Sequence, residues 1–512
     1  MTTAADPDPT TTDPADPPAD DRSAGEPPGR PGSDPDRPSS PRWPPSLRAV
    51  FAAAFALWGF AVAAGPLADN SFFTHLATGR LILEQGSVPS ADPYSFTAAG
   101  EPWVVQSWLA SLLYGLVDRG FGGVGLRILA GLLGMVIGLC VWRLTRPGRT
   151  LLPRLVAGAF PMVLAGFVWS PRPFLFGLAC LAISLVAAEG GLDPRWLVPL
   201  SWFWVNTHGS FPLGLVALAC LALGARLDGR ADGGRRELRC LAWAALGTVL
   251  GAVSPVGPKM LLFPVELLGR AETLSKVIEW QSPNFSAGWT RIFLLQVVIG
   301  ILVLVRRPSW RSALPLVVFT AAALLGLRNI ALASIVLVPG IARGLSGLGS
   351  VTARERGPVA VAGLAAMAVA AVVTVVNVAS APAFDVSTFP VEAVAWMDQR
   401  GLVAQPDVDL ATQDSVGNYL ELLYGARARA FFDDRVDMYP KAVVDDYLTL
   451  HTGAPGWQAV LDRRGIDAIA WSRTAPLGQL LASSPDWRVG YLDGQTVVAC
   501  RRGSVAEARC TS

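Results

Sequence analysis

Residues 359–381 read VAVAGLAAMAVAAVVTVVNVASA, without a charged side chain, and Arg354 and Arg356 stand just before them. A helix rises about 1.5 Å per residue and a bilayer's hydrocarbon core is about 30 Å thick, so roughly 20 apolar residues cross it. By length and composition this run is a transmembrane helix. Beyond Phe384 the texture changes, and polar, apolar and charged residues mix over the length of one small domain.

Upstream, ten more apolar runs are candidate spans: 47–67, 122–142, 151–169, 174–188, 196–207, 211–225, 240–253, 292–305, 313–327 and 329–341. With 52% hydrophobic and 16% charged residues and a mean hydropathy of +0.41, the chain is too apolar for an ordinary soluble protein. Arg and Lys in short loops are retained in the cytoplasm. Arg42 precedes the first run and Arg48 stands at its start; Arg143, Arg146, Arg149 and Arg154 follow the second; Arg195 follows the fourth. Arg226, Arg230, Arg235, Arg236 and Arg239 follow the sixth, Arg306, Arg307 and Arg311 the eighth, and Arg343, Arg354 and Arg356 precede the last. Every basic cluster thus falls on one face, and an odd number of crossings puts the N-terminus in the cytoplasm and the C-terminal region outside. The net charge of +2 is scattered, with no basic face to neutralise a nucleic-acid backbone, which excludes nucleic acid as a partner.

Residues 1–45, rich in Pro, Asp, Thr, Ser and Gly, carry too few apolar groups to offset the entropy of ordering and are expected to form a disordered cytoplasmic tail. They open on acidic residues rather than a basic n-region, so the first apolar run reads as a retained anchor, not a signal peptide. Residues 46–383 form the membrane domain, with external loops at 68–121 and 254–290, and 384–512 an extracytoplasmic α/β domain. In the latter, 391–399, 439–450, 456–464 and 476–482 read as helices, and 408–412, 428–432 and 466–471 as strands. Segments 487–491 and 496–501 flank Leu492-Asp493-Gly494-Gln495, a hairpin signal. Cys500 and Cys510 lie in this domain as a candidate disulfide. The expected fold class is mainly α: a polytopic transmembrane helical bundle of about 11 spans with a small extracytoplasmic α/β C-terminal domain.

Once sorted by side, the unusual polar residues gather on the external face. An ionisable side chain at membrane depth costs roughly 2.5–3.5 kcal/mol, so those at span ends face a cavity or a partner. Arg172 and Arg328 sit between apolar segments where the positive-inside pattern disfavours Arg, which suits neutralising an anion such as a lipid phosphate. Asp69 follows the first span directly, where a carboxylate can act as general base toward a hydroxyl or hold a divalent cation, Mg or Mn, with His75 near enough to join it. Arg80, His208 (in Asn206-Thr207-His208-Gly209) and Glu279 lie on the same side and are candidate substrate-binding residues.

The stretches Asp69-Asn70-Ser71, His75-Leu76-Ala77-Thr78-Gly79-Arg80, Gln106-Ser107-Trp108-Leu109, Ser170-Pro171-Arg172-Pro173, Asn206-Thr207-His208-Gly209 and Phe432-Asp433-Asp434-Arg435-Val436-Asp437-Met438-Tyr439 resemble those of bacterial, chiefly actinobacterial, polytopic membrane proteins organised like the GT-C glycosyltransferases. The resemblance covers most of residues 46–502. It implies transfer of a sugar from a polyprenyl-phosphate carrier to an envelope glycan or protein acceptor at the outer face of the cytoplasmic membrane, with membrane lipid as a partner. It makes Asp69 the catalytic carboxylate and Asp434 and Arg435 candidates for acceptor contact. Many such enzymes carry a paired acidic motif in this loop, whereas here Ser71 stands two residues after Asp69. A transporter or flippase of a lipid-linked precursor, and a non-catalytic envelope scaffold, are the competing readings.

Overall fold

The computed structural model describes residues 44–352 and 354–511, and Pro44 onward clusters as one compact unit. Residues 1–43, most of the expected tail, lie outside the described residues. The chain is mainly helical, with a small four-stranded sheet. All the apolar runs are helical: Leu47–Ala63, the second half of Trp108–Leu144, Leu151–Val168, Phe174–Ala188, Leu197–Thr207, Phe211–Leu227, Arg235–Leu250, Gly288–Arg306, Trp310–Leu325, the pair Asn329–Val336 and Val338–Gly344, and Pro358–Ser380. Four of these helices, Trp108–Leu144, Leu151–Val168, Gly288–Arg306 and Pro358–Ser380, are long and apolar enough to cross a membrane. Only 6% of the last one's apolar window is buried in protein, and Val369, Val372, Val373 and Val376 stand exposed on it. Such a surface is stable against lipid, not water.

The connections sort into two contact groups. In one, Leu47 and Leu151 donate backbone hydrogen bonds to Glu355 and Val351, Arg307 reaches Ser346, and Arg311 bridges Glu189 (2.7 Å) and Glu237 (2.9 Å). In the other, Leu67 pairs with Ala383, Tyr114 reaches Pro171, Trp108 reaches Asn206, and Leu327 pairs with Gln281. The arginine-rich connections belong to the first group.

Two helices occupy what reads in sequence as the external loop 68–121. Asn70–Gln85 starts on Asp69, whose side chain accepts from the Phe72 N–H at 3.3 Å, and stops at Gly86, φ 68°. The helix Trp108–Leu144 begins well before its apolar run and kinks at Gly122. Phe72, Phe73 and Leu76 bury one face of the first, and a Cβ at Gly79 would lie 1.9 Å from the Ser111 carbonyl oxygen, so these two helices touch backbone to backbone.

In the C-terminal region, strand Leu410–Thr412 pairs parallel with Ala468–Ser472, which pairs antiparallel with Thr496–Arg501, itself paired with Trp487–Leu492. Cys500 and Cys510 form a disulfide tying the sheet to the closing helix Val505–Thr511. The expected strand at 428–432 is not part of the sheet. Its backbone pairs instead with the segment that follows the Asn70–Gln85 helix: Ala430 N–H donates to Tyr94 and Phe96 N–H to Ala430, so its alternation reflects docking on a loop. A helix at Asp414–Tyr424, unmarked in the sequence reading, packs along Asn70–Gln85.

The helix pair Leu47–Ala63 and Trp108–Leu144 is as close: a Cβ at Gly134 would lie 2.2 Å from the Gly59 carbonyl oxygen. Gly134→Val is expected to destabilise by about 1–3 kcal/mol or more through overpacking, read as a lower melting temperature in detergent. An unchanged melting temperature would contradict this packing.

Candidate functional site

Asp69 ends the first helix's connection and caps the next, which fixes its carboxylate at the mouth of the bundle. Arg172 Nε donates to both of its oxygens at 2.7 and 2.6 Å, and the Ser170 hydroxyl donates to Oδ2 at 2.5 Å. Arg172 Nη1 donates in turn to Glu279, from the segment before the Gly288–Arg306 helix. Ser170-Pro171-Arg172-Pro173 forms the turn before Phe174–Ala188, where proline shapes a connection and the arginine is aimed at Asp69.

The C-terminal region closes over this turn. Asp434 accepts from the Ser71 hydroxyl and, at 2.5 Å, from the Asn418 amide, and it feels the Arg172 charge. Burial pushes its carboxyl up to about 6, with Asp433 beside it adding to the rise and the Ser71 hydrogen bond opposing it. Next to it Arg435 is enclosed: it donates to Asp433 through Nε (2.9 Å) and Nη2 (2.6 Å), pairs with Asp92 at 2.7 Å, and lies over Tyr94 and Trp103 at 4.9 and 4.6 Å. Burial, with Asp433 adding to it, raises the Glu421 carboxyl well above its usual range. Thr74 donates to Glu421, which locks the C-terminal helix onto the Asn70–Gln85 helix.

Two histidines line the same region. The His75 Nδ1 is 3.1 Å from the Ser111 hydroxyl, and burial, with the Arg172 charge next, lowers its pKa to about 4, so it is neutral at physiological pH. The His208 Nδ1 accepts from the Ser210 N–H at 3.1 Å, which places the ring proton on Nε2, while Trp204 Nε1 holds the Ser210 hydroxyl at 3.0 Å. Its ring stands edge-on to Phe174, 5.3 Å between centroids.

Arg328 differs from its neighbours. Its backbone N–H bonds to Glu279 O at 3.2 Å and its guanidinium lies over Trp280 (4.7 Å) and Phe174 (6.0 Å), within the fields of Glu279, Arg172 and His208. Yet among the described residues that guanidinium has no hydrogen-bond or ion-pair partner. It is half-buried, and its donors remain open to an anion.

The structure therefore brings Asp69, His75, Arg172, His208, Glu279, Arg328, Asp434 and Arg435 into one neighbourhood. Arg80 stands apart, donating to Asp118 (2.9 Å) and the Leu422 carbonyl (3.2 Å), where it ties helices together. Sequence reasoning did not single out Ser170, Asn418, Glu421, Asp433 or Asp92 for the site. Ser170 and Asp433 lie inside motifs quoted from the sequence without being given a role, whereas Asn418 and Glu421 carry no local signal. A divalent cation does not fit: the partners of Asp69 are an arginine and a hydroxyl, and among the described residues no group of three His, Cys, Asp or Glu side chains is placed to hold one. Arg435→Leu leaves Asp433 and Asp92 buried without their cation, so a loss of about 3–5 kcal/mol is expected, measured by thermal or denaturant unfolding; wild-type stability would show that Arg435 is not the clasp.

No protein-family model matches the chain, and no curated protein matches its sequence. Among solved structures it is similar to the Archaeoglobus fulgidus oligosaccharyltransferase in the apo form, at 11% identity and a TM-score of 0.48, over 83% of this chain and 69% of that one. It is also similar to the arabinofuranosyltransferase AftD from Mycobacteria, solved by cryo-electron microscopy, at 16% identity and a TM-score of 0.45. That match takes in 88% of this chain and spans 41% of the length of AftD.

Proposed function

We propose that the chain is an integral membrane glycosyltransferase of GT-C type. In this reading the bundle crosses the cytoplasmic membrane 11 times with its arginine-rich end inside, and a sugar passes from a polyprenyl-phosphate carrier to an envelope glycan or protein acceptor at the outer face. The observation that carries it is the unpaired Arg328 guanidinium, stacked on Trp280 beside Arg172 and sharing one mouth with a carboxyl of near-neutral pKa, Asp434. A partly buried cation without a counter-ion suits an anionic ligand, and a phosphate at the end of a lipid chain reaches that mouth from the bilayer.

The roles divide by what each carboxylate already holds. Asp69 is held as an ion by the Arg172 cation on both oxygens, with Ser170 beside it, so Asp69 aims Arg172. Asp434 is held only by neutral donors, Ser71 and Asn418, and with a pKa of about 6 it suits the base. The acceptor oxygen bonds to the anomeric carbon as that carbon's bond to the phosphate oxygen breaks. The hydroxyl proton goes to Asp434, and the electron pair stays on the departing phosphate, whose charge Arg328 and Arg172 meet. Neutral His75 and the His208 Nε2–H supply donors for sugar hydroxyls without adding charge.

Transfer of labelled sugar from polyprenyl-phosphate donors by the purified full chain tests this. The base works ionised, so wild-type activity should rise as pH passes about 6 and level off above it. Asp434→Asn should lower the rate by about 10²–10⁴-fold and remove that rise. Arg328→Gln should cost about 10²–10³-fold at saturating acceptor. Wild-type rates in a folded Asp434→Asn protein at neutral pH would sink the proposed mechanism.

A further inference from the structure

At the arginine-rich end, the turn Pro194–Trp196 and the start of the Arg235–Leu250 helix face an open hollow of about 780 Å³. Arg195, Arg235 and Arg239 line it, and among the described residues their guanidiniums have no hydrogen-bond or ion-pair partner. Arg236 lines it too, held by the carbonyls of Ala187 (2.9 Å) and Leu192 (2.6 Å), which gives the hollow one rigid cationic wall. Against these four arginines stand two carboxylates. Asp193 accepts from the Arg195 backbone N–H at 2.9 Å, and Asp232 lies 3.5 Å from Arg230, outside the hollow. A surplus of two positive charges thus converges on one concave space.

The hollow sits where charge gives way to apolar surface. Trp243 follows Arg239 by one helical turn and lines it, and beyond Trp243 the same helix exposes Leu246, Val249 and Leu250. Trp196, on the opposite wall's turn, is 63% exposed. Two indoles flanking a cationic hollow at the end of an apolar helix mark the headgroup level of a bilayer.

We propose that this hollow binds the headgroup of a doubly charged anionic phospholipid from the leaflet on that side. Its two phosphates match the surplus charge, and its acyl chains lie along the exposed Leu246, Val249 and Leu250. This site is separate from the Asp434–Arg328 mouth and does not rest on the proposed sugar transfer. A free diphosphate offers the same phosphate chemistry from solution, so both are tested.

The full-length protein in detergent is incubated with cardiolipin or phosphatidylcholine and the retained lipid counted by native mass spectrometry; melting temperature is recorded with and without inorganic pyrophosphate. The wild type is expected to retain cardiolipin over phosphatidylcholine, and the Arg195→Gln, Arg235→Gln, Arg239→Gln triple variant to retain about tenfold less or lower still. A control triple, Arg146→Gln, Arg149→Gln and Arg306→Gln, removes equal charge from the same end outside the hollow and should retain wild-type levels. Should the first triple fail to fold, the single variants Arg195→Gln and Arg239→Gln each carry the same expectation in smaller measure. Equal retention by wild type and triple, or equal loss in the control, overturns the site. Stabilisation by pyrophosphate that the triple loses, without lipid preference, overturns the lipid as occupant.

Discussion

Moving an ion from water into a protein interior costs several kcal/mol unless partners surround it, and Arg435 is enclosed on every side. Asp433 and Asp92 neutralise it, Tyr94 and Trp103 lie against its faces, and Glu421, 3.8 Å away, completes the acidic ring. Asp92, Tyr94 and Trp103 come from the segment between the Asn70–Gln85 and Trp108–Leu144 helices, whereas Asp433 and Glu421 come from the C-terminal region. The cluster holds together only when the two are docked. Asp434, adjacent in sequence, is thereby set against Ser71, and the mouth containing Asp69, Arg172 and Arg328 acquires its far wall.

Within that wall, burial acts differently on neighbouring acids. Asp433 faces Arg435 directly, and the arginine outweighs desolvation, so its carboxyl is held below the usual range. Asp434 points instead at neutral donors, Ser71 and Asn418, so desolvation dominates and its carboxyl rises to about 6. Two adjacent aspartates thus become a fixed counter-ion and a titratable group. The arginines divide similarly, since Arg172 is paired with Asp69 and Glu279 through Nε and Nη1 while the Arg328 guanidinium has no ion-pair partner among the described residues.

The membrane-domain helices were legible because apolar runs of this length carry their own signal, and Phe174–Ala188 coincides with its expected bounds. The helix Asn70–Gln85 was not read from sequence, although its cap at Asp69, its stop at Gly86 and the apolar spacing of Phe72, Phe73 and Leu76 were present; the polar residues between them were taken as loop chemistry. The segment 428–432 alternates as a strand does, but its partner is the loop at Tyr94–Phe96, a pairing across more than 330 positions that no local pattern encodes. Asn418 and Glu421 escaped for the same reason, since their importance lies in reaching Asp434 and Thr74. Arg172 and Arg328 were visible because an arginine placed against the positive-inside bias requires a local cause.

That cause separates the two ends of the bundle. At the arginine-rich end, Arg311 and Arg343 share Glu189, and Glu237 takes Arg311 and Arg230, so part of the charge is neutralised in place and the remainder faces solvent or the hollow beside Trp243. At the opposite end Arg172 is placed by acidic neighbours and Arg328 by aromatic ones. Part of the charge at the first end is structural: Arg311 and Glu237 are both buried, so removing either leaves the other without that counter-ion. Arg172 thus has its anionic partners, whereas among the described residues Arg328, whose guanidinium has stacking partners but no anion, has that contact left to make.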